Sequence, residues 1–198
     1  MRKPDGLPSN PFSSRLPSLL QSVEDWGTFR SGARRAAVVA VLYRREGALY
    51  MPFVARRADL RSHPGQIGLP GGQVIADESA WEAAAREAEE EIGVRAADLT
   101  PLGAGRPLYA AVTNYSVVPF VAWLSREDVR FRPDTGELDA VLEVPLARLL
   151  DESAWQDGRW SRLGRSLPVE GGVIWGLTAR LLDGILPPIR RALAETGA

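Results

Sequence analysis

Four glutamates fall within the five residues after Arg86, and three of them are Glu87, Glu90 and Glu91, in a chain with one histidine and no cysteine. Spaced three and four residues apart, they share one face of any helix that carries them. The wider stretch holds Asp77, Glu78, Glu82, Glu87, Glu89, Glu90 and Glu91 against a single base, Arg86. Nothing local is therefore expected to neutralise these acids, and the negative end of the helix dipole adds to their repulsion. A hard, oxygen-ligated cation such as Mg²⁺ or Mn²⁺ would resolve the conflict. Beside a pyrophosphate, such an ion screens charge, activates water and stabilises the departing phosphate. The plainer reading is a solvated acidic helix, the usual explanation of a run of charge.

The elements that must hold these acids can be read locally. Ser79-Ala-Trp-Glu82 forms a capping box, so a helix is predicted from about Ala80 to Ile92, with Gly93 as its C-terminal stop. Trp81, Ala84, Ala85 and Ala88 fall mostly on another side of that helix and are expected to pack on a sheet. Glu78 lies outside the capped helix, where an acid also favours the dipole.

The spacing from Gly72 onward reads G-x5-E-x7-R-E-U-x-E-E-x-G-U, where U is a bulky apolar residue. Its fixed positions fall on Gly72, Glu78, Arg86, Glu87, Glu90, Glu91 and Gly93. Only the first U is off-type, being Ala88. Seven identities at about 7% each match by chance at only ~10⁻⁶ over such a length. The chain thus resembles the Nudix hydrolases. The resemblance implies that Glu87 and Glu91 are the strongest ligands of a Mg²⁺ or Mn²⁺ ion, with Glu90 close by and a glycine carbonyl at Gly71 or Gly72 completing the site. It also implies that Glu78 orients Arg86 or the metal shell.

The segment leading into the signature narrows the substrate. Arg56, Arg61, Gly65 and Pro70-Gly71-Gly72 fit R-[SA]-x3-R-x3-G-x3-F-P-G-G, a motif of the coenzyme A pyrophosphatase branch of that family. Arg57 replaces its small residue and Leu69 its phenylalanine. Similarity to bacterial members continues through Val112-Thr-Asn-Tyr115 to Pro119, Glu137 to Pro145, and Ile174 to Thr178. Physically, glycines let backbone approach a ligand closely, and arginines grip phosphate oxygens in bidentate fashion. Arg56, Arg61, Gly65 and Gly72 are accordingly the substrate-binding candidates, while surface solubility is the alternative for any single arginine. His63, the only histidine, is read as ordering the loop. Glu137 or Asp139 could supply a general base, though a surface turn residue is the favoured reading of Glu137.

The rest of the chain supplies the frame. Its 198 residues, 45% apolar and 25% charged, suit one domain with an extension. The extension is placed at residues 1–33, with a short helix from Arg15 to Asp25, and the domain at 34–198. Arg35–Tyr43 and Leu49–Ala55 read as a hairpin about Arg44-Arg45-Glu46-Gly47. Tyr115–Leu124 and Asp139–Val144 read as strands and Pro145–Asp151 as a short helix. Ile174–Ile185 reads as a helix that Pro187-Pro188 interrupts. Strands and helices mixed in this way predict an α/β fold with a mixed sheet between helices, which the resemblance specifies as the Nudix fold.

A net charge of −1 argues against broad nucleic-acid or membrane attraction. No leader or 18-residue apolar run is found, and the absence of cysteine fits a cytoplasmic location. The expected function is metal-dependent hydrolysis of the pyrophosphate of coenzyme A, a small-molecule substrate, to 3′,5′-ADP and 4′-phosphopantetheine. The alternatives are another nucleoside diphosphate derivative, such as ADP-ribose or NADH, or a domain that only binds a nucleotide. The silent domain is disfavoured because every signature acid is present.

Overall fold

The computed structural model describes residues 11–59, 65–75, 77–126, 129–157 and 164–197. It is an α/β fold in which a mixed sheet lies between helices. The central strand is β1 (Arg34–Arg45), whose partners differ along its length. Its first nine residues run parallel to β7 (Tyr115–Leu124). Ala36–Val38 also pair antiparallel with β4 (Gly71–Gln73), and Tyr43–Arg45 pair with β2 (Ala48–Arg56). The β1–β2 hairpin closes through Glu46 and Gly47, with φ of 50° and 82°, the paired positive φ of a tight turn whose twist suits the flanking strands.

Beyond β2 lie β3 (Ile67–Gly68) and β8 (Leu138–Pro145). On the other side, β5 (Leu99–Ala104) and β6 (Leu108–Ala110) pair with β7. The alternation of a pleated strand divides the core in two. Ala37, Val39 and Val41 of β1, with Val118, Phe120 and Ala122 of β7, face helix α2 (Ala80–Ile92). Ala40, Leu42, Val121 and Trp123 face the opposite layer. That layer is built from α1 (Pro11–Arg15), α3 (Leu146–Leu150) and α4 (Gly176–Thr196). A small hairpin, β9 (Leu167–Val169) with β10 (Gly172–Ile174), precedes α4.

Two sequence expectations are corrected. The helix expected from Arg15 to Asp25 is instead α1 followed by a 3₁₀ turn at Leu16–Ser18, after which Gln21 exchanges both backbone hydrogen bonds with Ala104, at 3.0 and 2.9 Å. Leu16 is fully buried and Leu19, Leu20 and Val23 are partly so, but the edge of β5 recruits the backbone near Gln21 into an extended form. Gly103 permits the approach, since a Cβ there would lie 2.6 Å from that of Leu20.

The tail departs in the opposite sense. Ile174 and Trp175 are extended, and the helix then runs unbroken from Gly176 to Thr196 through Pro187 and Pro188. Two prolines forgo two i→i−4 bonds, yet Ile185, Leu186 and Ile189 on either side are at most 2% exposed. Burial of that apolar face outweighs the lost bonds.

Phe12 is fully buried and meets Trp123 edge-on at 6.5 Å, which makes the first described residues part of the core. Phe12→Ala is expected to destabilise the protein by about 3–5 kcal/mol in urea unfolding. A loss below about 1 kcal/mol would show that this segment can peel away at no cost to the fold.

Candidate active site

Helix α2 presents its acids because both ends are fixed by local chemistry. Ser79 Oγ accepts from the Glu82 amide at 3.2 Å, and the Glu82 carboxylate accepts from the Ser79 amide at 2.7 Å. Gly93, at φ 71°, ends the helix in the left-handed conformation that a side chain would disfavour. Ala80, Ala83, Ala84, Ala85 and Ala88 are buried. These short side chains bring the helix axis close to β1 and β4, while Trp81 stays half-buried with its ring edge-on to Phe120 at 5.6 Å.

That close approach seats Glu91. It is 8% exposed, and its Oε2 accepts from the Gly71 amide at 2.9 Å. Burial raises its pKa from 4.5 to about 7. The Gly71 bond opposes the rise, nearby Glu87 and Glu137 add to it, and Arg56 again opposes it. Of the two glycines beneath the helix, Gly71 is sterically required, whereas Gly72 leaves room for the Glu87 carboxylate. A Cβ at Gly71, where φ is 151°, would lie 2.4 Å from the Ala37 carbonyl oxygen; one at Gly72 would lie 2.4 Å from the Glu87 carboxylate.

Arg86 changes the charge balance expected from sequence. Its Nη1 donates to Glu87 at 2.8 Å and to Glu90 at 3.1 Å. Nε and Nη2 clasp Glu78 at 3.1 and 3.0 Å, and Nη2 also donates to the Gln73 carbonyl at 3.2 Å. One base thus touches three of the acids, so the expectation that nothing local neutralises them is corrected. The bonds from Arg86 and from the Ile75 amide hold the Glu78 carboxyl below the usual range. Among the described residues, no three carboxylate or imidazole groups converge into a ready cation cage. Glu87 is largely buried, whereas Glu90 is 59% exposed at its side chain.

Arg56 arrives from the end of β2. A register shift between Ala55 and Arg56 in the β2–β8 pairing is the kind of irregularity that re-aims a side chain. Its Nη2 donates to Glu137 at 3.1 Å, and its Nη1 lies 3.9 Å from Glu91. Its Nε is buried and has no hydrogen-bond partner among the described residues. Glu137 and Asp139 are both exposed, Glu137 in the turn before β8. Arg57 clasps Asp59 at 2.9 and 2.7 Å and donates to the Thr135 carbonyl, which directs it away from the acids. Gly65, at φ 64°, lies in the turn that returns the chain to Gln66, whose carbonyl accepts from the Arg56 amide at 3.0 Å. Arg61 and His63 lie outside the described residues. The structure therefore gathers Glu78, Arg86, Glu87, Glu90, Glu91, Gly71, Gly72 and Arg56. The Gln73 carbonyl joins them without any sequence signal, because a main-chain acceptor has no residue type.

The raised pKa of Glu91 gives a signed expectation. Between pH 4.5 and about 7 the folded state holds a proton that the unfolded chain releases. This contribution to stability is full below that window and lost as pH rises through it. Metal-free protein is thus expected to unfold at lower urea concentration at pH 8 than at pH 5, and Glu91→Gln to flatten that dependence. A slope unchanged by the substitution would contradict the assignment.

The match to known proteins follows the same residues. A family model described as the NUDIX domain matches residues 33–163. The chain is 35% identical over 155 residues to the uncharacterized Nudix hydrolase NudL of Escherichia coli (strain K12 / DH10B), covering 75% of this chain and 79% of that one. It is 34% identical over 181 residues to the protein of the same description from Yersinia pestis (strain Pestoides F), covering 87% and 88%. The fold matches a C. elegans Ap4A hydrolase binary complex with a TM-score of 0.55 at 17% identity, over 82% of this chain and 98% of that one. It also matches the NUDIX domain of Shewanella oneidensis NrtR complexed with ADP ribose, with a TM-score of 0.55 at 18% identity, over 83% and 90%. A signature helix seated on paired glycines, in the matching fold and with relatives above 30% identity, makes this chain a member of the Nudix hydrolase family.

Proposed function

We propose that this protein hydrolyses the pyrophosphate bond of coenzyme A, and of its thioesters, to 3′,5′-ADP and 4′-phosphopantetheine or the acylated form of the latter. The observation that carries the reading is Glu91: a carboxylate buried on the Gly71 amide, beside Glu87 and within 3.9 Å of the Arg56 guanidinium. A desolvated acid next to a second acid and a phosphate-binding cation suits the handling of a charged pyrophosphate. The motif running from Arg56 through Gly72 supports coenzyme A among nucleoside diphosphate derivatives.

The donor set fits a hard divalent cation. It offers carboxylate oxygens from Glu87, Glu90 and Glu91, no thiolate, and in Glu91 an acid whose burial disfavours its charge. Gly71 is the candidate for a carbonyl ligand. Bound there, Mg²⁺ or Mn²⁺ would supply charge screening of the pyrophosphate and a more acidic water.

The chain's own residues do the positioning. Arg86, clasped by Glu78, fixes the rotamers of Glu87 and Glu90 from one side, and Gly72 leaves the space into which Glu87 turns. Arg56 stands beside Glu91, which supports a role at the pyrophosphate rather than at a more distant phosphate. Releasing Glu137 would free Arg56 Nη2 for a phosphate oxygen. Arg61 and Gly65 belong to the same sequence motif.

ADP-ribose and NADH are the competing substrates, and the fold match to a domain crystallised with ADP ribose makes the first a necessary control. Incubation of the protein and Mg²⁺ with coenzyme A, dephospho-coenzyme A, ADP-ribose and NADH, with product identification, is expected to give the highest kcat/KM for coenzyme A, with 3′,5′-ADP released. Preferential cleavage of ADP-ribose would overturn the substrate. Glu87→Gln and Glu91→Gln are each expected to lose Mg²⁺-dependent turnover while keeping the circular dichroism spectrum of the parent. Full activity in either would remove that residue from the metal site.

A further inference from the structure

The Arg56 guanidinium lies between two carboxylates of opposite character. Its Nη1 is 3.9 Å from Glu91, whose side chain is 11% exposed, and its Nη2 donates at 3.1 Å to Glu137, whose side chain is 57% exposed. The arginine is itself mostly buried, and its amide is tied to the Gln66 carbonyl at 3.0 Å. Of these three side chains, that of Glu137 alone lies mostly in water.

The main chain under Glu137 is, by contrast, fixed from two sides. The Asp134 and Arg132 amides donate to the Glu91 and Ile92 carbonyls, each at 3.0 Å, which seats the turn on the end of α2. The Asp134 carbonyl accepts from the amides of Glu137 and Leu138 at 3.1 and 2.8 Å, and Asp134 Oδ1 accepts from the Gly136 amide at 2.9 Å. From the β2 side, the Arg57 amide donates to the Glu137 carbonyl at 3.0 Å, and Arg57 Nη1 donates to the Thr135 carbonyl at 3.0 Å. Arg57, which stands where the motif has a small residue, therefore braces this turn against the end of β2. Leu138, which follows, is buried. Glu137 is thus an exposed carboxylate on a fixed base. It can release Arg56 by rotating its side chain, a fast motion at an exposed position, without any opening of the loop.

We propose that Glu137 is a stand-in for the substrate: in the free protein it occupies the Nη2 edge of Arg56, keeps the guanidinium aimed, and is displaced by a phosphate oxygen of the bound pyrophosphate. The inference rests on the proposed pyrophosphate chemistry and adds to it a positioning residue that acts through Arg56. A phosphate offers a guanidinium the same paired-oxygen geometry as a carboxylate. Exposed ion pairs are weak, so the exchange costs little, and a pyrophosphate brings more negative charge than the carboxylate it replaces. Without Glu137, the nearest acid to Arg56 is Glu91, and closer pairing there would draw the cation away from the substrate.

The test is calorimetric binding of methylenebisphosphonate, a P–C–P analogue of pyrophosphate that resists hydrolysis, to the full chain with excess Mg²⁺. Because Glu137 competes for Arg56, Glu137→Gln is expected to bind the analogue about threefold more tightly than the parent. Glu137→Asp keeps the charge but is one methylene short of Arg56, and it is expected to tighten binding as well. In an Arg56→Gln background, where there is nothing left to compete for, Glu137→Asp should change nothing. Parent-like or weaker binding in both single variants would overturn the proposal. Tightening by Glu137→Gln alone would also overturn it, since that pattern reports the loss of a charge rather than the release of Arg56. Coenzyme A hydrolysis is measured in parallel. Tightened binding without hydrolysis would uphold the role of Glu137 and remove the substrate reading, whereas hydrolysis with unchanged affinities would do the reverse.

Discussion

The hydrogen bond between the Gly71 amide and the Glu91 carboxylate is the contact that sets the geometry around it. It forms only if the last turn of α2 lies against β4; the alanine face of the helix allows that approach, and Gly71 lets β4 lie close to β1. Once Glu91 is buried there, its charge is costly and must be offset by what surrounds it. Glu87 worsens the cost, whereas the Gly71 amide and Arg56 relieve it. The register shift at the end of β2 aims Arg56, and the turn before β8 holds it through Glu137. Strand pairing, helix packing and side-chain charge thus meet at one carboxylate.

Arg86 acts as a second constraint on the same turn of helix. Its five donors are shared among Glu78, Glu87, Glu90 and the Gln73 carbonyl, so the rotamers of two proposed ligands are set from one side. Glu78, outside the helix, is held by the Ile75 amide and so gives the arginine a fixed base. This arrangement places one base among several acids and so lowers their mutual repulsion.

Where local chemistry decides, the sequence was readable. The capping box at Ser79 and the glycine at 93 bound α2, and the apolar, β-rich runs located β1, β2, β7 and β8, because capping and the apolar character of a strand are set within a few residues. Where a partner distant in sequence decides, the reading failed. Residues near Gln21 are helical by periodicity but extended by pairing with Ala104, and Pro187-Pro188 would end a solvated helix but not one whose apolar face is buried on both sides. The site divides in the same way. Spacing placed Glu87, Glu90 and Glu91 on one face, but the clasp by Arg86, the burial that separates Glu91 from Glu90, and the Gln73 carbonyl depend on how β4 sits beneath the helix.

The central claim is that Glu91 is a desolvated carboxylate whose charge the protein alone only partly offsets. Side-chain ¹³C NMR titration of glutamate-labelled, metal-free protein, with the Glu91 resonance assigned by its loss in Glu91→Gln, measures this directly. The account predicts that this carboxyl titrates near pH 7, well apart from the exposed glutamates. A midpoint near 4.5, coincident with the exposed acids, would contradict it.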